Sequence, residues 1–266
     1  MRVFISADIE GIATTTLWSE TETQTQAVAQ AHAVQMTAEV KAACEGAIAA
    51  GADYILVRDA HETGTNIDVH ELPACAEVIR GWSGHPYCMV EGIDKSFDAA
   101  LFIGYHSAAG REGSPLSHTN NQRLFWVKIN GQKVSEFQMH SWACALEGVP
   151  TVFLSGDQML CQDCASLHPK LKALAVKSGF GGATRSMAPA LAVQKIREQA
   201  EQALRQDLSG ALCTLPETFH FEICYKDHTL ATKMSFFPGF QKMDDNTIAM
   251  DSASYMDLLV AARFVF

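Results

Sequence analysis

Three short apolar runs in the first half of the chain each end in ionisable residues, and this repetition constrains the fold more than any other feature. Val3–Ala7 runs into Asp8-Ile9-Glu10-Gly11, Tyr54–Val57 into Arg58-Asp59-Ala60-His61, and Ala99–Ile103 into Gly104-Tyr105-His106. Their branched and aromatic content reads as buried strand. Between the first two lies an Ala-rich stretch from about Thr25 to Ala50, closed by Gly51, which predicts a helix. Leu124–Ile129 and Thr151–Leu154 read as further strands, and Asn130-Gly131 is a hairpin signal. Ser135 and Gln138 have capping-box spacing for a helix to about Glu147. The alternation predicts an α/β fold, with a mostly parallel central sheet flanked by helices.

After about residue 156 the pattern changes. Pro189 precedes a long helix from about Ala190 to Leu208, and Phe219–Tyr225 alternates like a strand with one exposed face. Asp251 or Ser252 is placed to cap a final helix running to about Arg263. The expected organisation is an α/β domain over 1–156 and a smaller α+β lobe over 157–266.

Ligands of parallel α/β sheets bind outside the carboxyl ends of the strands. Asp8, Glu10, Asp59, His61 and His106 are therefore expected along one edge. Asp8 and Glu10 are two apart, so in extended backbone they point the same way. Two carboxylates held together repel unless a positive charge sits between them. A metal ion is the simplest neutraliser, and carboxylate plus imidazole is a zinc-like ligand set. Alone, each of these residues is more often a cap, a turn or a solvated side chain. Coincidence at three successive strand ends favours a site. His118, in the polar loop Pro115–Asn120, and Glu136, in the first turn of the capped helix, are further candidates. Each read alone is a turn residue or a favourable helix-dipole charge.

Composition narrows the partners. Asp+Glu total 30 against 20 Lys+Arg, a net charge of −10, which argues against nucleic acid and against a polybasic membrane contact. Hydrophobic residues make up 48% of the chain, enough apolar surface for a core. No apolar run is long enough to span a bilayer, and the start of the chain lacks the features of a signal peptide. A cytoplasmic location is expected, with the eight cysteines mostly as buried thiols. Cys161 and Cys164 lack the second ligand pair of a zinc half-site and read as two thiols on a helix turn. His70-Glu71-Leu72-Pro73-Ala74 lacks the second His of HExxH, and Pro73 breaks the helix that motif needs. Gly179–Thr184 lacks the last glycine of a dinucleotide fingerprint.

Asp8-Ile9-Glu10-Gly11, Asp59-Ala60-His61, Gly104-Tyr105-His106, Ser117-His118 and Ser135-Glu136 occur in an order that resembles the D-aminopeptidase family, peptidase family M55. The phrases Met89–Asp94 (MVEGID) and Ala100–His106 (ALFIGYH) are also similar to that family. The resemblance covers nearly the whole chain and is strongest over 1–157. It implies a metal-dependent aminopeptidase with two divalent ions per subunit, zinc by expectation. Carried over by position, Asp8 bridges the two ions, and Glu10, His61, His106 and Glu136 complete their coordination. His118 is then the catalytic residue outside the ligand set. The implied substrate is a short peptide or amino-acid amide, with D-specificity as one expectation. The implied assembly is a ring-like homodecamer, with the second lobe contributing to oligomerisation and to a substrate channel. The segments Ile12–Trp18 and Arg111–Pro115 depart from the family pattern.

Two other readings stand beside this one. A different metal-dependent hydrolase, an amidase or a phosphoesterase, would use the same ligands, but no Gly-rich anion cradle or Arg cluster adjoins them. A non-catalytic, ring-forming peptide-binding protein would hold metal structurally. Structural zinc is usually closed and often Cys-ligated, whereas this set is carboxylate-rich and Cys-free.

Overall fold

The computed structural model describes residues 1–22 and 27–266. In chain order the elements are β1 (Arg2–Ala7), α1 (Ala27–Ala49), β2 (Tyr54–Asp59), β3 (Ala76–Ile79), β4 (Ala99–Tyr105), β5 (Leu124–Ile129), β6 (Gln132–Lys133) and α2 (Glu136–Leu146). There follow β7 (Thr151–Asp157), α3 (Gln158–Cys164), β8 (Lys172–Phe180), β9 (Ala183–Ser186) and α4 (Pro189–Arg205). The chain closes with β10 (Phe219–Tyr225), α5 (His228–Met234), β11 (Gln241–Lys242), β12 (Thr247–Ser252) and α6 (Tyr255–Val265). Thr25, the predicted start of the first helix, lies outside the described residues.

The strands form two sheets. One has seven strands in the order β3-β2-β1-β4-β7-β8-β9, parallel except for the β8–β9 hairpin. The other has five, β11-β12-β10-β5-β6, all antiparallel. The α/β expectation holds, and Leu124–Ile129, a strand that the sequence assigns to no sheet, belongs to the antiparallel one. Its hairpin with β6 turns at Asn130-Gly131, both at positive φ (52° and 77°), as a two-residue primed turn requires. The two sheets draw on both sides of residue 156, since β8 and β9 extend the first and β5 and β6 belong to the second.

The seven-stranded sheet is buried on both faces, as a parallel sheet must be. Val3, Ile5, Ile55, Val57, Leu101 and Ile103 pack with Val40 of α1 and Ile196 of α4. Phe4, Leu56 and Phe102 face the other way, onto Phe137 of α2, Phe221 of β10 and Leu258 of α6. The second sheet and α6 thus close the side of the first sheet that α1 and α4 do not. Among the described residues no helix is long and apolar enough to cross a membrane.

The final helix corrects one expectation. Asp251 and Ser252 lie in β12, because the apolar run Ile248–Met250 carries the strand past them. The cap is Ser254, whose hydroxyl accepts from the amide of Asp257 at 3.2 Å.

Candidate metal centre

β1 is where the strand order of the first sheet reverses, with β2 on one side and β4 on the other. In such sheets the crevice beyond the carboxyl ends is the natural ligand position. The chain leaving β1 crosses the end of β4 at backbone contact. Asp8 N–H donates to Ile103 O at 2.9 Å and Gly11 N–H to Gly104 O at 2.7 Å. A Cβ on Gly11 would sit 1.8 Å from Tyr105 O, and one on Gly104, at φ +75°, would sit 2.2 Å from Asp8 O. Only glycine permits this crossing, which brings Asp8 and Glu10 against His106.

The structure gathers Asp8, Glu10, His61, His106, His118 and Glu136, and all but His118 are buried. His61 Nδ1 lies 3.2 Å from Asp8 Oδ1 and 3.1 Å from Glu10 Oε2. His106 Nε2 lies 3.4 Å from both Asp8 Oδ2 and Glu136 Oε2. His118 Nε2 lies 3.4 Å from Glu136 Oε1. Ligand atoms of Asp8, Glu10 and His106 fall within 4.8 Å of one another, and so do those of His106, His118 and Glu136.

Each imidazole is oriented by a backbone carbonyl. Thr21 O lies 2.9 Å from His61 Nε2, Ser107 O 3.0 Å from His106 Nδ1, and Leu116 O 2.9 Å from His118 Nδ1. A carbonyl only accepts, so each of these nitrogens carries the hydrogen, and in the neutral ring the other nitrogen keeps its lone pair. Those free nitrogens all point into the carboxylate cluster. The rings of His106 and His118 stack at 4.2 Å, and the edge of Trp18 meets His118 at 5.2 Å.

Electrostatics shows what the cluster lacks. Burial alone would lower His61 and His106, but Glu10 and Asp8 around the first, and Glu136 and Asp8 around the second, hold both well above the ordinary histidine range. Burial would raise Asp8 and Glu136, but the facing histidines outweigh it and hold Asp8 low and Glu136 at about 2. Protons on imidazole are the positive charge available to three packed carboxylates. Asp8 Oδ2, Glu10 Oε2 and His106 Nε2 are nevertheless buried without a hydrogen-bond partner, their ionic contacts being close but misaligned. Buried polar atoms are rarely left so. Oxygen and imidazole donors aimed at one another around a cluster of negative charge fit a divalent cation.

Asp59 does not join them. Its carboxylate accepts from Asn66 N, Asn66 Nδ2 and Ile67 N at 2.6–3.0 Å and shapes the loop that carries His61. Glu136 arrives from the start of α2, whose cap Ser135 accepts from Gln138 N at 3.2 Å, and it also accepts from Asn120 N at 2.6 Å. Cys161 and Cys164 lie buried on α3, and all eight cysteines are unpaired.

Several residues of the site carried no sequence signal. Lys177 of β8 is buried, and its ammonium donates to the carbonyls of Glu10 and Thr15, fixing the loop after β1. Burial pushes its pKa down to about 8 against nearby carboxylates. Trp82 stacks on the guanidinium of Arg58 at 4.1 Å and donates to Glu62 O at 2.7 Å. Trp18, Trp82 and Arg263 of α6 wall an open cavity of about 420 Å³ with the cluster as its floor. They come from separate elements that only tertiary packing unites.

Residues 1–264 match the family described as D-aminopeptidase, peptidase M55. A D-aminopeptidase of Bacillus subtilis (strain 168) is 26% identical over 260 residues, covering 96% of this chain and 93% of its own. The solved structure of the Zn-dependent D-aminopeptidase DppA from Bacillus subtilis, a self-compartmentalizing protease, has the same fold. It aligns with a TM-score of 0.92 at 24% identity, over 100% of this chain and 96% of that one.

Proposed function

Because the chain belongs to the M55 family of D-aminopeptidases, we propose that it is a metal-dependent aminopeptidase that removes the N-terminal residue of short peptides or amino-acid amides. The observation that carries this reading is the orientation of His61, His106 and His118, each tied by one nitrogen to a backbone carbonyl and offering the other to buried carboxylates. In this reading Asp8, which faces both halves of the cluster, would hold two divalent ions together with Glu10, His61, His106 and Glu136, probed first as zinc. Such ions supply a Lewis acid for the scissile carbonyl and make water acidic enough to attack at neutral pH.

The chain's own residues supply the rest. Ser107 O and Thr21 O fix the tautomers of His106 and His61, so that their basic nitrogens face the cluster. His118 is the proton carrier. Its Nδ1–H is committed to Leu116 O, its ring stacks on His106 and makes an edge contact with Trp18, and it lines the cavity. A base held in one orientation with its lone pair at the reacting centre is what general acid–base catalysis requires. The carboxylates of Glu22 and Glu62 line the same cavity and favour a substrate bearing a free ammonium group.

The self-compartmentalizing relative and the exposed phenylalanines of the C-terminal half, Phe180, Phe236 and Phe264, support a homo-oligomer, with a decamer as the expected size. A cytoplasmic location remains part of the proposal. Elemental analysis, paired with hydrolysis of D-Ala and L-Ala p-nitroanilides and of p-nitrophenyl phosphate before and after chelation, tests the reading. Two equivalents of metal and chelator-sensitive anilide hydrolysis are expected. Protein without metal, hydrolysis indifferent to chelation, or activity on the phosphate ester alone would overturn it.

A further inference from the structure

Resting on the aminopeptidase reading, we infer that Arg263 is a specificity residue that binds the free carboxylate of the substrate's C-terminus, so that the preferred substrates are unblocked short peptides rather than their amides. Arg263 lies in the last turns of α6 and lines the cavity whose floor is the carboxylate–histidine cluster. Five carboxylates line that cavity, those of Asp8, Glu10, Glu22, Glu62 and Glu136, and among the described residues Arg263 is its one Lys or Arg.

The guanidinium is held without being neutralised. Its Nη1 donates to Cys88 Sγ at 3.1 Å, and Nε is buried with no hydrogen-bond partner. No ion pair joins it to a carboxylate among the described residues, though five carboxylates line the same cavity. Burial raises the Cys88 thiol above its ordinary value, so the sulfur stays neutral and leaves the positive charge intact. Cys88 is itself held at φ +47°, a conformation that costs energy for a residue with a Cβ. Strain of this kind persists where the surroundings enforce it, and here it presents the thiol to Arg263.

Charge then selects the ligand. Above the cluster a peptide carboxylate meets Glu22 and Glu62, and Arg263 is the one guanidinium or ammonium of the wall among the described residues, offering a fork suited to it. A dipeptide extends roughly 7 Å, so a substrate whose scissile bond lies at the cluster reaches only a short way up the wall. An amide terminus offers Arg263 one neutral acceptor oxygen in place of two charged ones and leaves its charge unpaired. A peptide too long for its terminus to stop at Arg263 loses the same contact.

The test compares D-alanylglycine with D-alanylglycinamide in two ways. In the metal-loaded enzyme, kcat/KM is expected to favour the free acid by about 10- to 100-fold, the range of a hydrogen bond to a charged group. The difference should lie mainly in KM. In metal-free protein, Trp18 and Trp82 report binding by fluorescence, and the acid should bind more tightly. Arg263→Met should bring both acid-to-amide ratios close to one, and Arg263→Lys should keep part of the preference. If the Met variant does not fold, the wild-type ratios and the Lys variant decide. Equal handling of acid and amide by the wild type, or a preference that survives in Arg263→Met, would overturn the assignment. Hydrolysis without selection leaves the aminopeptidase reading standing. Acid-selective binding without hydrolysis of either peptide overturns that reading and leaves the carboxylate site.

Discussion

The carboxyl edge of the parallel sheet and the outer face of the antiparallel sheet each set a histidine beside an aspartate, with opposite consequences. At the parallel edge His61 and Asp8 lie 3.2 Å apart with side chains only 9% and 2% exposed. On the antiparallel sheet His220 and Asp251 approach more closely, to 2.7 Å, but are 42% and 83% exposed. Distance alone would rank the second pair higher. Water reverses that order, because solvent screens the exposed pair and is kept from the buried one. His168 completes the comparison. It is buried without a carboxylate, its ring against Phe137 and its Nε2 2.8 Å from Ser141 Oγ, and burial alone pushes it down to about 4. Burial without countercharge keeps a histidine neutral, and burial among carboxylates charges it.

The most severe way to break this contrast is Asp8→Ala. Asp8 faces both His61 and His106, so its loss removes the group common to the two halves of the cluster. Metal content should fall well below that of the wild type, and peptide hydrolysis should drop by at least about 10²–10³-fold. Elemental analysis beside kcat/KM reads both. Full metal content in the variant would refute the bridging role.

Much of the parallel-sheet half of this contrast was legible before the fold was known. Asp8, Glu10, His61 and His106 follow strands, and the carboxyl end of a parallel strand is a place a sequence can point to. Glu136 was visible mainly through the family resemblance, because a first-turn glutamate after a serine cap is explained equally well by the helix dipole. Arg263, Trp82 and Lys177 were not legible, since their positions depend on how distant elements pack. Leu124–Ile129 was recognised as a strand but not placed. A short run does not reveal its partner, and only its pairing with Phe221–Tyr225 puts it in the second sheet. Asp251 and Ser252 both have the chemistry of a helix cap, but the structure puts both in β12 and makes Asp251 the strand partner of His220.

His118→Ala sharpens the contrast inside the cluster. This ring is the more exposed member and touches only Glu136 among the carboxylates. As a proton carrier, its loss should lower kcat by about 10²–10⁴-fold while the bound metal stays. Loss of metal together with activity would move His118 into the ligand set, which its proximity to His106 and Glu136 makes a real alternative.

His168 yields a smaller effect, on stability. Its folded pKa of about 4 lies below the ordinary 6.5, so as pH falls the unfolded chain takes up the proton first. The contribution is complete above about pH 6.5 and is lost as pH falls toward 4, about 3 kcal/mol in all. His168→Gln should therefore flatten the decline in stability between pH 7 and 4.5, measured as the difference between variant and wild type in denaturant unfolding. An unchanged slope would show that the ring is protonated, or exposed, in the folded state.

The smallest expected effect completes the comparison. Asp251→Ala removes the partner of His220 and nothing else of consequence, since the aspartate is 83% exposed and the strand register is set by backbone pairing with Phe219–Cys224. A screened surface pair contributes little, so the melting temperature should move by no more than about 1–2 °C, and metal content and kcat/KM should stay at wild-type values. Because Asp8→Ala and Asp251→Ala each remove an aspartate from beside a histidine, the pair of variants isolates environment from chemistry. A large loss of activity in Asp251→Ala would mean that the antiparallel sheet feeds the catalytic centre or its assembly. The contrast between a buried pair that serves the site and an exposed pair that does not would then have to be given up.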